Sequence, residues 1–322
     1  PLFSIIIPTY NRAHFLLKIL TKLCQSPVSF EIIICDSNSL DQTKKKIKFF
    51  ARNCQNRNIR YYDIKDNNNS KKRNFGLKKS LGEYIIFLDD DCIPSSRYLN
   101  DCKSILDKNR NNNKVVFCGS VKYFFNEKNN NFLEYRQSRH FIINNKETNY
   151  SKSLHPRNVV TMNMFFKKKT LFENKVFFNE NFNRYGFEDY EFAYRLRESG
   201  IEMAPCSPFI YHLDNRDFKK FLMKIIFLGQ ESKNFLIKIN KKASLENNFI
   251  ILENNFLIKI LINIKFIDYL MILIQNLFLF LEKKIKFHGF FYKFLIANAY
   301  LMGCVLSKKY KKNSIFFNEW YK

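Results

Sequence analysis

The sequence predicts an α/β fold: a Rossmann-like, mostly parallel sheet with flanking helices, followed by a C-terminal α-helical region. Strand-like and helix-like segments alternate four times in about the first hundred residues. The strand-like segments are continuous apolar runs, as in parallel strands that are buried on both faces. From about Phe218 the chain is apolar, rich in lysine and free of proline, which indicates helices. We therefore expect two domains, 1–215 and 216–322.

The first strand is predicted from the apolar run Phe3–Ile7, which stops at Pro8, and the first helix from the periodicity of His14–Cys24. The second pair lies in FEIIICDSNSLDQTKKKIKFFARN. Its strand ends near Asp36, and its helix is predicted from about Leu40.

Ser39 and Gln42 have the spacing of a capping box at the start of this second helix. A third strand, IRYYDI, precedes a helix over Lys71–Ser80 and a fourth strand in GEYIIFLDDD. Further along, GFEDYEFAYRLRESG has a helical stripe that ends at Gly200, and the strand-like IEMAPC and FIYHLDN follow. The alternating order supports the α/β prediction.

Three polar clusters fall at the predicted carboxyl ends of strands: Pro8–Arg12, Asp36–Ser39 and Asp89–Asp91. In open α/β sheets, ligands bind outside these ends. No GxGxxG motif and no Walker loop occurs in these turns, which disfavours a dinucleotide fold or a P-loop phosphate cradle. A nucleotide bound here is therefore expected to be held by side chains and a metal ion.

The three consecutive aspartates after the fourth strand predict a divalent cation. Because side chains alternate along an extended strand, Asp89 and Asp91 should share one face while Asp90 points away. Carboxylate oxygens in this D-x-D arrangement suit Mg²⁺ or Mn²⁺. The alternative is a solvated acidic turn after an edge strand.

The composition favours a cytoplasmic protein with an anionic partner. The 322 residues carry a net charge of +25, with a pI near 9.6. Abundant Lys, Asn, Ile and Phe are also expected from an AT-rich genome, so codon bias is an alternative source of the basicity. The 8 cysteines include no CxxC pair, and we expect reduced thiols and no signal peptide.

Four motifs in this order, SIIIPTYNR, EIIICDSNSLDQT, SKKRNFGLKKSLGEYIIFLDDD and NRYGFEDYEFAYRLRESG, resemble the family 2 glycosyltransferases of the GT-A fold. The resemblance covers about residues 2–212. It implies an inverting transfer of a sugar from a nucleotide diphosphate, usually UDP, to a hydroxyl group.

The resemblance also assigns the donor site. The nucleoside pocket is lined by Pro8, Thr9, Tyr10 and Arg12. Asp36 accepts a hydrogen bond from the uracil ring. The family often has Asp-Asp-Gly-Ser here, whereas this chain has Asp36-Ser37-Asn38-Ser39 and lacks the glycine, so the loop conformation of the family is not carried over.

For the diphosphate and the metal, the resemblance places Lys72 and Arg73 at the diphosphate and Asp89 and Asp90 near the ribose and the metal shell. Asp91 is the direct metal ligand, with Mn²⁺ or Mg²⁺ as cofactor. In so lysine-rich a chain, a surface role is the alternative for Lys72 or Arg73.

The catalytic base implied by the resemblance is Asp189, with Glu188 beside it. The alternative is that both acids only stabilise the positive end of their helix. His212 is a further metal ligand in some relatives, although a lone histidine is often a partly buried polar residue. Asn163 occupies a position where relatives contact the donor sugar.

The C-terminal region 216–322 combines Leu, Ile and Phe with interspersed lysines, a composition typical of helices that bind an anionic membrane surface. Packing on the catalytic domain or oligomerisation is the alternative. The uncharged run Tyr269–Leu281 is shorter than the roughly 20 residues of a spanning helix. We expect no span, and a cytoplasmic protein that can also lie on the inner face of the membrane.

The sequence thus predicts a transferase with a UDP-sugar donor and a glycan or lipid-linked acceptor, active in bacterial surface polysaccharide synthesis. A basic nucleic-acid-binding protein is the main alternative from another class, but no RRM, zinc or helix-turn-helix pattern supports it, and no nucleic acid is expected. A sugar-nucleotide pyrophosphorylase would carry a Gly-rich N-terminal loop. A non-catalytic GT-A-like domain would not need Asp36, Asp91 and Asp189 together.

Overall fold

The computed structural model describes residues 1–54, 58–124, 131–139, 153–182, 185–213 and 217–309. The chain forms two compact units. The first comprises Pro1–Phe125, Arg136–Asn183 and Glu188–Asn215, and the second comprises Asn126–Tyr135, Arg184–Phe187 and Arg216–Lys322. The second unit therefore includes two short segments from the middle of the chain that a single division after residue 215 leaves out.

Among the described residues, one eight-stranded sheet forms the centre of the first unit. Its strands are β1 Phe3–Thr9, β2 Phe30–Asp36, β3 Asn58–Asp63, β4 Tyr84–Leu88, β5 Cys92–Pro94, β6 Val115–Tyr123, β7 Asn163–Lys167 and β8 Glu202–His212. The spatial order is β3-β2-β1-β4-β7-β6-β8-β5.

The first four strands are parallel, and the remaining four form a mixed extension. β3, β2, β1 and β4 pair in parallel, whereas β7 is antiparallel to both β4 and β6. β8 is parallel to β6 and antiparallel to β5. The α/β prediction is confirmed, and its parallel character belongs to the first hundred residues.

Helices before residue 200 cover the sheet. They are α1 Ala13–Cys24, α2 Thr43–Asn53, α3 Asn69–Lys79, α4 Tyr98–Lys108, α6 Lys168–Glu173 and α7 Glu188–Glu198, whereas most of α5 Asn131–Arg139 belongs to the second unit. Every residue of β1, β2 and β4 is buried, which explains their continuous apolar sequences. The core between sheet and helices includes Ile6, Ile33, Phe87, Phe166 and Phe192.

The predicted capping box at α2 is wrong. The helix begins at Thr43 rather than near Leu40, and Gln42 precedes it in a left-handed conformation with φ of 64°. The Ser39 hydroxyl donates to Asp36 instead of capping the helix. The amide of Thr43 donates to Asp41 Oδ1 over 3.2 Å. Ser39 therefore bonds to Asp36, at the end of β2, and is not available to cap the helix.

Two other boundaries differ from the sequence prediction for local reasons. α3 begins at Asn69, because the side chain of Asn68 accepts a hydrogen bond from the Lys71 amide at 3.0 Å. IEMAPC and the start of FIYHLDN join in the single strand β8, and the pairing with β6 shifts register between Gly119 and Ser120. α7 ends before Gly200, which has φ of 68° as expected for a helix stop.

The second unit contains the predicted C-terminal helical region. Its segments are α8 Phe218–Phe227, a π-helical turn Leu228–Ser232, α9 Lys233–Ile239, α10 Lys241–Glu246, α11 Asn248–Asn254, α12 Phe256–Leu261, α13 Ile267–Glu282 and α14 Gly289–Lys309. Two glycines allow α14 to pack closely against α8 and the π-helical turn. A Cβ at Gly303 would lie 2.0 Å from the Ile226 carbonyl oxygen, and one at Gly229 would lie 2.1 Å from that of Tyr300.

α14 is long and apolar enough to cross a membrane by length and composition. The segment Gly289–Lys308 has 20 residues and a mean hydropathy of 1.4. The sequence argument from Tyr269–Leu281 overlooked it because Lys293 interrupts the run. However, 56% of its apolar window is buried within the protein. Such burial is expected for the central helix of a helical unit.

Gly76→Ala is expected to destabilise the first unit by about 1 kcal/mol or more, because overpacking a closed core is costly. A Cβ at Gly76 in α3 would lie 2.4 Å from Cγ2 of Ile6 in β1. Urea unfolding followed by circular dichroism measures the effect. Lys78→Ala, on the exposed side of α3, is the matched control, and equal midpoints for the two variants would contradict the packing argument.

Candidate functional site

The candidate site lies in the first unit, at the carboxyl edge of the parallel strands. β1 and β2 end in register, with Thr9 opposite Asp36. β4 ends next to β1, and three aspartates follow it directly. This topology therefore brings the three polar clusters together at one edge of the sheet.

The end of β1 connects to the aspartates through two side chains. Pro8 and Thr9 are buried, and the Thr9 hydroxyl donates to Asp90 Oδ2 at 2.7 Å. Arg12 forms an ion pair with Asp91 and lies 3.9 Å from Asp90. Tyr10 between them keeps 39% of its surface exposed. Of these four predicted nucleoside-pocket residues, Tyr10 is the most accessible to a ligand.

Asp36 is fully buried, and hydrogen bonds within the protein occupy both of its oxygens. It accepts from the Ser39 amide at 2.9 Å and also from the hydroxyls of Ser39 and Tyr61. The side chain of Asp36 therefore shapes the loop after β2. Asn38 adopts φ of 56° in this loop, which is the left-handed conformation that the missing glycine would otherwise supply.

The three aspartates do not alternate as a continuing strand would require. β4 ends at Leu88, and Asp90 and Asp91 lie in a turn. The prediction that Asp89 and Asp91 share a face while Asp90 points away is wrong, because Asp90 and Asp91 both face Arg12. Asp89 instead accepts a hydrogen bond from Arg73 at 2.9 Å.

Arg12 and Arg73, from separate parts of the chain, balance the negative charge of this turn. Their positive charges reduce the repulsion between the neighbouring carboxylates. Even so, burial raises the pKa of the Asp90 carboxyl to about 7, with the adjacent charge of Asp91 as the second cause. Asp90 therefore takes up a proton more readily than an ordinary aspartate does.

Lys72 and Arg73 lie inside the site rather than on its surface. The Lys72 ammonium donates to the Thr9 carbonyl and to Asn67 Oδ1, each at 2.9 Å, and burial lowers its pKa to about 8. Arg73 is 2% exposed and connects Asp89 with Asp189, whose Oδ1 lies 3.6 Å from Nη1. The surface alternative for these two residues is therefore excluded.

Asp189 lies in the first turn of α7 and is held by Thr161. The Thr161 hydroxyl donates to Asp189 Oδ1 at 2.7 Å, and the Thr161 amide donates to Oδ2 at 3.3 Å. The Asp189 side chain remains 32% exposed. Glu188 is the first residue of α7 and is partly buried. The carboxylate of Asp189 is thus oriented and still accessible.

A candidate metal centre lies where β5 meets β8. His212 pairs with Cys92 across these strands, and His212 Nε2 lies 3.6 Å from Asp91 Oδ1. The Cys92 thiol lies 3.5 Å from the same oxygen, and one ligand atom from each of the three residues falls within 4.8 Å of the others. The structure therefore brings together Asp91 and His212, the two predicted ligands.

The chemistry of these donors fits a divalent cation. Mn²⁺ accepts carboxylate and imidazole ligands, and Mg²⁺ prefers oxygen. Burial, and then the charge of Asp91, raises the pKa of the Cys92 thiol well above its ordinary value. Thiol sulfur is a soft donor, whereas Mn²⁺ and Mg²⁺ are hard ions that favour oxygen ligands. Asp91 and His212 would hold the metal, with Cys92 packed beside them.

Asn163, the predicted contact of the donor sugar, lies inside the protein. Its side chain is fully buried. Nδ2 donates to the carbonyls of Ser120 and Pro208, at 2.9 and 3.1 Å, and Oδ1 accepts from the Tyr98 hydroxyl at 2.6 Å. Asn163 therefore links three chain segments inside the protein.

Sequence reasoning missed the partners that orient the predicted residues: Thr161 beside Asp189, Tyr61 beside Asp36 and Cys92 beside Asp91. These contacts join residues that are distant in the sequence, except for Cys92. Only Cys92 carried a local signal, as the neighbour of an aspartate cluster.

Fold and site together define a protein of the GT-A class, with a parallel sheet whose strand ends bring together an aspartate cluster and a separate aspartate on a helix. A family model described as glycosyl transferase family 2 matches residues 4–172, which is more than half of the chain. The chain belongs to this family.

Curated relatives align with part of the chain. The poly(ribitol-phosphate) beta-N-acetylglucosaminyltransferase TarS of Staphylococcus aureus strain Mu50 is 29% identical over 109 residues, 33% of this chain and 19% of TarS. The minor teichoic acid biosynthesis protein GgaB of Bacillus subtilis is 30% identical over 128 residues, 39% of this chain and 14% of GgaB. Chondroitin synthase of Escherichia coli is 28% identical over 228 residues, 61% of this chain and 32% of the synthase. The chain spans a third or less of each of these relatives.

Two solved structures share the fold over nearly the whole chain. S. aureus TarS 1–349 in complex with UDP has a TM-score of 0.51 at 16% identity, covering 97% of this chain and 94% of that one. The mannosyltransferase PcManGT from Pyrobaculum calidifontis in complex with GDP-Man and Mn²⁺ has a TM-score of 0.61 at 16% identity, covering 97% and 88%. At these identities the likeness establishes the GT-A fold.

Asn163→Leu is expected to lower the free energy of unfolding by about 2–4 kcal/mol, because it leaves buried carbonyl and hydroxyl groups without partners. Tyr98→Phe, which removes one of these hydrogen bonds, should cost about 1 kcal/mol. Urea unfolding measures both variants, and the nucleotide affinity of the folded protein should not change. Loss of donor affinity without loss of stability would contradict this expectation and support the predicted contact of Asn163 with the donor sugar.

Proposed function

We propose that this protein is an inverting glycosyltransferase that moves a sugar from a UDP-sugar to a hydroxyl of a glycan or lipid-linked acceptor. The observation that carries the proposal is the buried Arg73, which holds Asp89 of the aspartate turn and Asp189 of α7 in one constellation. Inversion by a single displacement needs one base at the acceptor and compensating charge at the leaving diphosphate. Asp189 and the aspartate turn would supply these two parts.

Asp189 is the proposed base. An acceptor hydroxyl must lose its proton as it attacks the anomeric carbon, and a carboxylate oriented by hydrogen bonds is suited to accept it. Thr161 fixes the orientation of Asp189, and partial exposure leaves room for an acceptor. Glu188 beside it is the alternative base.

The proposed donor site follows the strand ends. Tyr10 is exposed enough to contact a nucleoside, and Pro8, Thr9 and Arg12 hold the β1 end against the aspartate turn. Asp91 and His212 would hold Mn²⁺ or Mg²⁺, which when bound supplies positive charge for the diphosphate. The TarS fragment was solved with UDP and with UDP-GlcNAc, which supports UDP. Asp36 remains the proposed uracil contact, although its oxygens already accept three hydrogen bonds.

The acceptor is proposed from the named relatives, two of which act in teichoic acid synthesis or on poly(ribitol-phosphate). We therefore place this enzyme in bacterial surface polysaccharide synthesis, at the cytoplasmic side of the membrane. The test is the thermal shift of the purified protein with UDP, with and without Mn²⁺, against GDP, CMP and a short oligonucleotide. Stabilisation by UDP that requires the metal supports the proposal. Stabilisation by GDP alone corrects the nucleotide, and stabilisation by the oligonucleotide alone overturns the function.

Asp91→Asn is expected to abolish metal-dependent turnover while the fold remains intact, because an amide binds a hard cation much more weakly than a carboxylate does. The measurement combines turnover of the UDP-sugar over a Mn²⁺ titration with a thermal melt. Asp107→Asn, on the distant helix α4 where the carboxylate pairs with Lys103, is the control. Full activity of Asp91→Asn would exclude Asp91 as the metal ligand.

Asp189→Asn is expected to lower kcat by about 10²–10⁴, the usual contribution of a general base, while the Kd for UDP stays within about twofold of the wild-type value. Thr161→Val should lower kcat less, since it leaves the carboxylate in place but frees its orientation. Kinetics and calorimetry with UDP separate these effects.

Glu188→Gln is the matched control for the base, and it should retain most of the activity. If Glu188→Gln loses more activity than Asp189→Asn, the base is Glu188. An equal fall of donor affinity and kcat in Asp189→Asn would mean that Asp189 serves donor binding.

A further inference from the structure

Helix α13 in the second unit buries polar side chains while it exposes apolar ones. Its buried residues are the apolar Ile267 and Met271 and three polar residues at intervals of seven, Asp268, Gln275 and Glu282. Its exposed side carries Tyr269, Leu270, Leu273, Leu277 and Phe280, all more than half exposed. A surface helix in water normally shows the opposite arrangement. The medium that α13 is built to face is therefore apolar.

The inward polar groups form the kind of contacts that helices make when their outer surfaces face hydrocarbon. Tyr292 of α14 donates to Glu282 Oε1 over 3.2 Å, and Asn298 of α14 donates to the Met271 carbonyl at 3.1 Å. The amide of Gln275 is fully buried and has no hydrogen-bond partner among the described residues. In water this arrangement loses both polar solvation and apolar burial.

The apolar surface continues onto the neighbouring helices. α12 exposes Phe256, Leu257 and Ile260, and the first turns of α14 expose Phe290, Phe291 and Phe294. The ring of Phe278 lies 5.8 Å from Phe291 and 6.1 Å from Phe294, which joins α13 to α14. We call the exposed apolar residues of these three helices the apolar face. Patches of this extent on soluble proteins mark interaction sites.

Lysines border the apolar face and outnumber the exposed acids near them, although one of them, Lys286, pairs with the exposed Glu134 of α5. Six are exposed within 255–294: Lys259, Lys265, Lys283, Lys284, Lys286 and Lys293. The two acids in that range, Asp268 and Glu282, are both buried. The Lys284 ammonium lies 4.5 Å from the centre of the Phe280 ring, and that of Lys265 lies 5.0 Å from Phe266. Cations at the edge of an apolar patch match the headgroups of anionic lipids.

We propose that the apolar face docks on an anionic lipid bilayer and lies in its interface, with the lysines at the headgroups. This is independent of the proposed transfer reaction. A span is disfavoured because α13 has 16 residues, about 24 Å against the about 30 Å of the hydrocarbon core, and because 56% of the apolar window of α14 is buried within the protein. A symmetric dimer through the same face would bring two sets of these lysines together, and 255–294 has no exposed acid to pair them.

The test is flotation of the full chain with vesicles of phosphatidylcholine, alone or with about 30% phosphatidylglycerol. The wild-type protein should float with the anionic vesicles and bind more weakly as the salt rises from about 0.05 to 0.5 M. Leu273→Gln combined with Leu277→Gln should lower the partition coefficient at least about tenfold, because two side chains no longer enter the interface.

Two matched controls distinguish binding through the apolar face from nonspecific binding to vesicles. Leu81→Gln combined with Phe49→Gln changes two apolar residues of the first unit that are 64% and 70% exposed, and it should leave binding unchanged. Lys283→Gln combined with Lys284→Gln should weaken binding about fivefold per lysine on anionic vesicles. Lys45→Gln combined with Lys46→Gln, exposed on α2, should not. Circular dichroism melts verify that each variant is folded.

Wild-type binding by the folded Leu273→Gln, Leu277→Gln variant would overturn the proposal, as would binding that depends on the lysines alone. Light scattering tests whether a second copy of the chain, rather than a membrane, covers the apolar face. If the wild-type protein is a dimer that these two substitutions dissociate, and it does not float with vesicles, a second copy covers the apolar face and the proposal is wrong.

Discussion

The arrangement of the candidate site depends on the buried guanidinium of Arg73. A buried cation is stable only when carboxylates compensate it, and Arg73 has Asp89 on one side and Asp189 on the other. The same contact offsets the repulsion among the acids at the edge of the sheet. Because Arg73 belongs to α3, which packs against β1 and β2, the position of one helix fixes the distance between the aspartate turn and α7. The aromatic ring of Phe178, 5.3 Å from the guanidinium, further confines it.

The sequence predicted the elements and the edge of the sheet where the site lies, because both follow from local patterns. Continuous apolar strands, helical periodicity and the polar residues after strands are visible without knowledge of tertiary contacts. The orientation of individual side chains is not. The alternation argument for Asp89–Asp91 failed because β4 ends at Leu88, directly before them. The residue at which a strand ends depends on its pairing with neighbouring strands, which local sequence does not show.

The choice of hydrogen-bond partner also depends on contacts that local sequence patterns do not reveal. Ser39 had the spacing of a helix cap, yet it bonds to Asp36, and Asn163 is held by segments 43 and 45 residues away along the chain. Such contacts depend on strand register, including the shift between β6 and β8. The polar residues on the buried side of α13 were also hidden, because a helical stripe shows which residues share a side but not which side faces the core. Buried Gln275 and exposed Leu273 distinguish the two sides only in the structure.

The basic composition can now be divided by location. Lys72 and Arg73 are buried parts of the candidate site, whereas six lysines are exposed around the apolar face. Docking of the second unit on a bilayer would confine the first unit, in the same chain, to a thin layer above that bilayer. A lipid-linked acceptor in the membrane would then meet the site at an effective concentration far above its bulk value, without any added contact to the acceptor. Weak acceptor binding would suffice, and binding interactions could be reserved for the transition state, where they accelerate the reaction.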